Sequence, residues 1–146
     1  MPTVNQRETV ALVSCVKGKT SGPCPAKNLY TSALFRYMRA YAERHADRWF
    51  ILSAKYGLLN PETVVVSYEQ TLNRATMGQR REWAERVFAQ MGKAGLLRVG
   101  VVFLWLAGAA YKRHLSQRLV DFEQTDPLAG MGIGKRLGWL KKAVNE

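Results

Sequence analysis

Three runs of this chain are almost unbroken in apolar residues: "TVALVSCV" at 9–16, "RWFILSA" at 48–54 and "LLRVGVVFLWLAG" at 96–108. A strand with one face in water alternates apolar and polar side chains, whereas a strand covered on both faces does not. Nowhere do these runs reach the ~18 apolar residues that a membrane span needs. They are therefore expected as buried strands of a sheet that has helices above and below it.

The segments between them carry the helical period. In "NLYTSALFRYMRAYAERH" (28–45), Leu34, Tyr37, Met38, Tyr41 and Ala42 fall on one side, and Thr31 or Ser32 can cap the start. "MGQRREWAERVFAQMGKAG" (77–95) turns Trp83, Val87, Phe88 and Met91 inward, with Gly92 or Gly95 to end it. "AAYKRHLSQRLVDF" and, at the end, "GIGKRLGWLKKAVN" complete the set. Strand, helix, strand, helix, strand, helix predicts an α/β fold, a single three-layer domain with a small, mainly parallel sheet flanked by helices. The whole chain of 146 residues fits one such domain. Its motif-bearing core is expected at 9–120 and a C-terminal helical element at 127–146.

In open sheets of this kind ligands bind outside the carboxyl ends of the strands. There the sequence places Ser14, Cys15, Lys17 and Lys19 after the first strand, Ser53, Lys55, Tyr56 and Gly57 after the second, and Ala107 to Tyr111 after the third. The second group opens a long excursion, "KYGLLNPETVVVSYEQTLNRAT", and long excursions in compact domains are usually functional.

The charge points to the kind of partner. There are 22 Lys and Arg against 11 Asp and Glu, a net +11, spread over "VKGKT", "GQRREWAER", "YKRHLSQR" and "GKRLGWLKK". A folded basic surface attracts polyanions, so nucleic acid, DNA in the first instance, is the expected partner. Arg80, Arg81, Lys135 and Arg136 are candidates for its backbone. Cys15, Cys24, His45 and His114 fit no standard zinc spacing, so neither metal nor cofactor is expected. The first residues lack the apolar stretch of a signal peptide, and a cytoplasmic protein without a membrane partner is the expectation.

Individual residues divide by chemistry. Cys15 is either a small buried hydrophobe or a thiol on the substrate-binding side of the loop. Lys17 and Lys19 suit phosphates or base edges, and Ser14 and Ser53 offer hydrogen bonds. Lys55 has two readings: a point charge for a phosphate, or, if desolvated beside the strand, a nucleophile at C1′ of a nucleotide. Glu69 is the carboxylate best placed to stabilise an oxocarbenium-like sugar or to orient water. It can instead pair with Arg74 or Lys55. Tyr30, Tyr56 and Tyr68 are candidates to stack on an extruded base, while Phe35 and Tyr111 read as core.

"LVSCVKGK", "LYTSALF", "ILSAKYGLLNP" and "SYEQTL", in this order and spacing, resemble the YaaA-like superfamily, with the small actinobacterial and phage members nearest in pattern. The likeness covers residues 10–72 and extends weakly to "GMGIGKRLGWL". The pattern has proline where this chain has Ser67 and aspartate where it has Glu69, so a carboxylate is kept on a longer arm. The resemblance implies DNA binding, as in the peroxide-stress member. Through the related domains of archaeal tRNA-guanine modifying enzymes it implies handling of nucleobases. The "LYTSALF" segment adds Ser32, beside Tyr30, to the substrate side.

The expected function is recognition and hydrolysis of the N-glycosidic bond of a modified or damaged base in DNA or a nucleotide, with Glu69 and Lys55 as catalytic candidates. The alternative is a DNA-binding protein without enzymatic activity that protects DNA under oxidative stress.

Overall fold

The computed structural model describes residues 7–14 and 19–145. Strand β1 (Glu8–Ser14) lies at the centre of a five-stranded sheet, with β3 (Arg48–Ser53) parallel on one side and β6 (Val101–Leu106) parallel on the other. Val10, Ala11, Leu12 and Val13 have no exposed surface, which is why their run shows no alternation. A fully buried Val, Leu, Ile or Phe contributes about 1.5–3 kcal/mol of transfer free energy. The three runs together therefore fix the core.

The remaining strands sit at the edges. A short β7 (Glu123–Thr125) continues the parallel sheet beyond β6, and β4 (Gly57–Leu59) pairs antiparallel with β3. The order is β4-β3-β1-β6-β7. The chain moves from β1 to one neighbour and then crosses to the other side, so right-handed crossovers send the first helix to one face and the next two to the opposite face. Accordingly α2 (Ala33–His45) packs with α5 (Ile133–Asn145), and α3 (Met77–Lys93) with α4 (Ala109–Arg118). The architecture is the single three-layer α/β domain that the apolar runs predict.

Three details depart from the sequence reading. The run beginning at Leu96 enters the sheet only at Val101, because Gly95 (φ +75°) ends α3 and residues 97–100 make a turn. Strand β7 is polar and carries no apolar signal. It is held by Gln124, whose Oε1 accepts from Trp105 Nε1 (2.8 Å) while its Nε2 donates to Leu119 O (2.8 Å). Strand β3 is followed by a hairpin rather than by a helix.

The hairpin explains much of "SAKYG". Ser53 pairs with Gly57, so residues 54–56 form a three-residue connection closed by a glycine at φ +73°. Helix α3 then clamps it: Trp83 Nε1 donates to Ser53 O (2.8 Å), Gln90 Nε2 to Tyr56 O (3.1 Å), and Gln90 Oε1 accepts from Leu58 N (2.8 Å). These two side chains are seven residues apart and share one helix face. The rest of the predicted excursion is also ordered. β2 (Cys24–Pro25) pairs with β5 (Val64–Val65), the single-turn α1 (Ala26–Leu29) follows β2, and backbone bonds from Ala26 N to Thr63 O and from Ser67 N to Ser21 O hold the returning segment against the loop after β1.

Helix α2 starts as its sequence indicates, with Ser32 Oγ accepting from Phe35 N (3.2 Å). Phe35, Met38 and Ala42 are its buried residues, and Tyr37 and Tyr41 are only half-buried. The apolar face is shared between the sheet and α5, where Trp139 stands 5.3 Å from Tyr41.

Gly57→Ala must adopt the left-handed region and drive its Cβ into Gln90 Oε1. A loss of about 1–3 kcal/mol is expected in chemical denaturation. Gly138→Ala, in mid-helix with open space around it, is expected to add about 0.5–1 kcal/mol in the same measurement.

Candidate functional site

Ser53 is fully buried at the end of β3, and its side chain is the junction of the carboxyl edge. Its Oγ accepts from Tyr56 N (3.0 Å) and donates to Tyr68 OH (2.9 Å); Tyr68 OH in turn lies 2.5 Å from Tyr30 OH. Tyr30 and Tyr68 are core residues, 2% and 8% exposed, and their rings meet edge to face. Tyr56, half-buried, meets the Tyr68 ring at 5.7 Å in the same manner. The tyrosines that the sequence offers as stacking platforms thus form a hydrogen-bonded wall. Of the three, only Tyr56 keeps substantial access to solvent.

Ser14, also buried, spends its Oγ on Gly108 N (3.2 Å) and so ties the ends of β1 and β6 together where the strand order reverses. Such reversals are where open α/β sheets leave a crevice. Cys15 and Lys17 lie outside the described residues.

Two lysines stand along this edge. Lys19, half-buried, bridges to Tyr30 through its backbone and holds its ammonium 4.8 Å from the centre of the Tyr68 ring. Lys55 is exposed, with its ammonium 5.3 Å from the Tyr56 ring. The desolvation that a nucleophilic lysine requires is missing at Lys55, and what the position offers is a charge. Gly57 is buried under Gln90 and turns the backbone rather than facing a ligand.

Glu69 is exposed on the wall of a cleft of about 570 Å³, together with Ala54, Arg74, Glu82, Trp83 and Arg86. This volume falls within the range of sites that take small molecules, about 300–1,000 Å³. The carboxylate sits between two anchors. Tyr68 is pinned by its hydroxyl on one side; on the other, buried Leu72 gives its N–H to Tyr111 OH (3.4 Å) and its carbonyl to Arg80 Nε (2.8 Å). Among the described residues Glu69 has no ion-pair partner, so neither Arg74 nor Lys55 neutralises it. Arg86, on α3, reaches Lys55 O (3.1 Å) and joins cleft to hairpin.

The basic candidates part company. Arg80 and Arg81 lie on α3 near the cleft; Lys135 and Arg136 lie on α5. Arg136 donates from Nε to Met131 O (2.9 Å), and its Nη1 comes near Gly108, at the start of α4. Sequence reasoning missed Arg74, Glu82 and Arg86 as parts of one cleft, and Gln90 as a clamp. The signal for Gln90 was present: an amide seven residues after Trp83 on the inward stripe.

A second cavity, of about 440 Å³, opens at the amino ends of β6 and β7, where Arg7 pairs with Glu123 and Arg98 with Glu8. Among the described residues no three His, Cys, Asp or Glu side chains come together as metal ligands. No described helix is long and apolar enough to cross a membrane.

Between α3 and α4, His114 is buried with Nε2 3.0 Å from Met77 Sδ. Burial first, and then the guanidiniums of Arg81, Arg113 and Arg80, push its pKa below the ordinary value.

The family described as a family of unknown function (DUF6884) matches residues 10–142. An uncharacterised protein of Bacillus subtilis (strain 168), YfjM, is 28% identical over 152 aligned residues, covering 94% of this chain and 95% of that protein. No solved structure matches.

Tyr68→Phe withdraws a partner from both Ser53 and Tyr30 and is expected to cost about 1–3 kcal/mol of stability. The double change with Ser53→Ala should cost less than the sum of the two, as read from a double-mutant cycle in urea. For His114 the folded state resists the proton more than the unfolded state does. Its contribution is therefore complete above the unfolded value, about pH 6.5, and is lost as pH falls through the lower folded value. The denaturation midpoint should drop across that window, and His114→Gln should flatten the drop.

Proposed function

The chain belongs to DUF6884, whose description carries no activity, and from its geometry we propose that it binds DNA and hydrolyses the N-glycosidic bond of a modified or damaged base. The observation that carries this reading is Glu69, a carboxylate on a braced segment with no ion-pair partner among the described residues, facing a cleft that also presents Arg74 and Arg86. Cleavage of this bond builds positive charge on the sugar, and a carboxylate stabilises that charge. Guanidiniums hold the neighbouring phosphate.

In the proposed reaction water attacks C1′ and gives a proton to Glu69. The electron pair of the C1′–N bond leaves with the base, which takes a proton from solvent. Lys19 and Lys55 hold phosphate from the hairpin side, and Tyr56 offers a ring edge to the base. A deoxyribose is the better substrate, because a 2′-hydroxyl withdraws electrons from the developing cation. The base must leave the stack to enter the cleft, which favours damaged or mispaired positions.

Oligonucleotides carrying a panel of modified bases, incubated with the protein and followed for free base by chromatography, test the reading. Release is expected for at least one base. Glu69→Gln should lower its rate by at least ~100-fold, in line with loss of a general base, while leaving DNA affinity within about threefold. Absence of release across the panel would overturn the hydrolase and leave a DNA-binding protein without that activity.

A further inference from the structure

We infer that the outer face of α3 and α4, running from Arg74 and Arg86 at the cleft to Arg81 and Arg113, is the track that holds a DNA strand by its phosphates. The choice of DNA rests on the function proposed above; the surface rests on how charge is distributed over the molecule.

At the amino ends of the strands the basic side chains are matched: Arg7 pairs with Glu123, and Arg48 and Arg98 share Glu8. On α2 and α5, Arg36, Lys135, Lys141 and Lys142 are exposed without an ion pair among the described residues, and none of them lines the cleft. On α3 and α4 the acids are Glu82 and Glu85, against five arginines. Arg74, Arg81 and Arg113 are exposed and form no ion pair among the described residues. Glu85, which could have answered Arg81 one turn away, is taken by Arg118 (2.8 Å). Arg80 gives Nε to Leu72 O and Nη2 to Asn73 O (3.3 Å), bonds that fix its position and leave its charge uncancelled.

The arrangement is fixed by packing. The contact of Met77 with His114 sets the first turn of α3 beside the middle of α4. Arg81 follows Met77 by four residues, one helical turn, and Arg113 adjoins His114, so both guanidiniums stand over the same junction. Their common effect on His114 agrees with that placement. Guanidiniums held this close repel one another, and a row of phosphates relieves the repulsion with bidentate hydrogen bonds. Because Arg74 and Arg86 line the cleft itself, the row leads to Glu69.

The test is fluorescence anisotropy with a labelled single-stranded DNA oligonucleotide over a series of salt concentrations. Two charge-matched double variants are compared: Arg81→Gln with Arg113→Gln, and, as the control, Lys141→Gln with Lys142→Gln, both exposed on α5 and away from this face. Circular dichroism confirms that each is folded.

The first is expected to weaken binding about 10-fold or more and to lower the slope of log K against log salt by about 1.4, at about 0.7 for each phosphate that the variant no longer neutralises. The control should do neither. Equal effects of the two variants, or tighter binding to phosphatidylserine vesicles or to RNA of the same sequence than to DNA, would overturn the track. Base release by the wild-type protein from a modified deoxynucleotide is measured in parallel. If it fails while the salt slopes differ as stated, the hydrolase reading falls and the track stands; if it succeeds while the slopes agree, the reverse holds.

Discussion

The end of β3 has to be satisfied away from water, and the solution to that problem organises the carboxyl edge. Ser53 is buried, so its carbonyl and hydroxyl need partners inside the protein. Trp83 takes the carbonyl, and Tyr56 N and Tyr68 OH take the hydroxyl. Through these bonds one residue joins the sheet, the hairpin, the returning segment and α3. The hairpin cannot shift without breaking bonds to α3, and the segment that carries Glu69 cannot lift without breaking those of Tyr68 and Leu72. A stable edge is therefore a precondition for any geometry the cleft presents.

Charge divides the molecule in a way that complements this frame. Near the amino ends of the strands, Glu8 and Glu123 offset most of the charge of Arg7, Arg48 and Arg98. These pairs are exposed or half-exposed and contribute little to stability, on the order of 0–1 kcal/mol each. Their effect is on the field: with those carboxylates engaged there, Arg74 and Arg86 at the cleft form no ion pair among the described residues.

The fold was legible because the signal was strong where burial was complete. β1, β3 and β6 each lie between two strands and under helices on both faces, and their sequences could not be anything but apolar. β7 and β4 were not legible for the converse reason: a three-residue edge strand needs no apolar run, and Glu123-Gln124-Thr125 resembles a turn. The site was legible by region more than by role. Ser53 and Gly57 stand out because a polar residue and a glycine at the end of a buried strand ask for an explanation, and Tyr68 because it lies in the long excursion beside Glu69. That explanation is largely structural, since the hydroxyls bond to one another and the glycine makes a turn. The cleft draws on 54, 69–75 and 79–86, segments that only the tertiary fold brings together.

What distinguishes Glu69 from the other acids is therefore how it is held. An exposed carboxylate on a loose loop samples many positions and gains little from any one of them, whereas reaction at a sugar carbon requires a group held within a fraction of an ångström. Glu69 is one residue from a tyrosine locked by its hydroxyl and three from a leucine whose N–H and carbonyl are both engaged. Its backbone is fixed while its side chain is free to meet a ligand. Lys19 and Lys55 follow the same principle outside the cleft, along the carboxyl edge, each ammonium held over an aromatic ring by an attraction of about 0.5–1 kcal/mol. That is enough to favour one placement and too little to cancel the charge. The cleft thus brings charges of both signs to one place without letting them cancel.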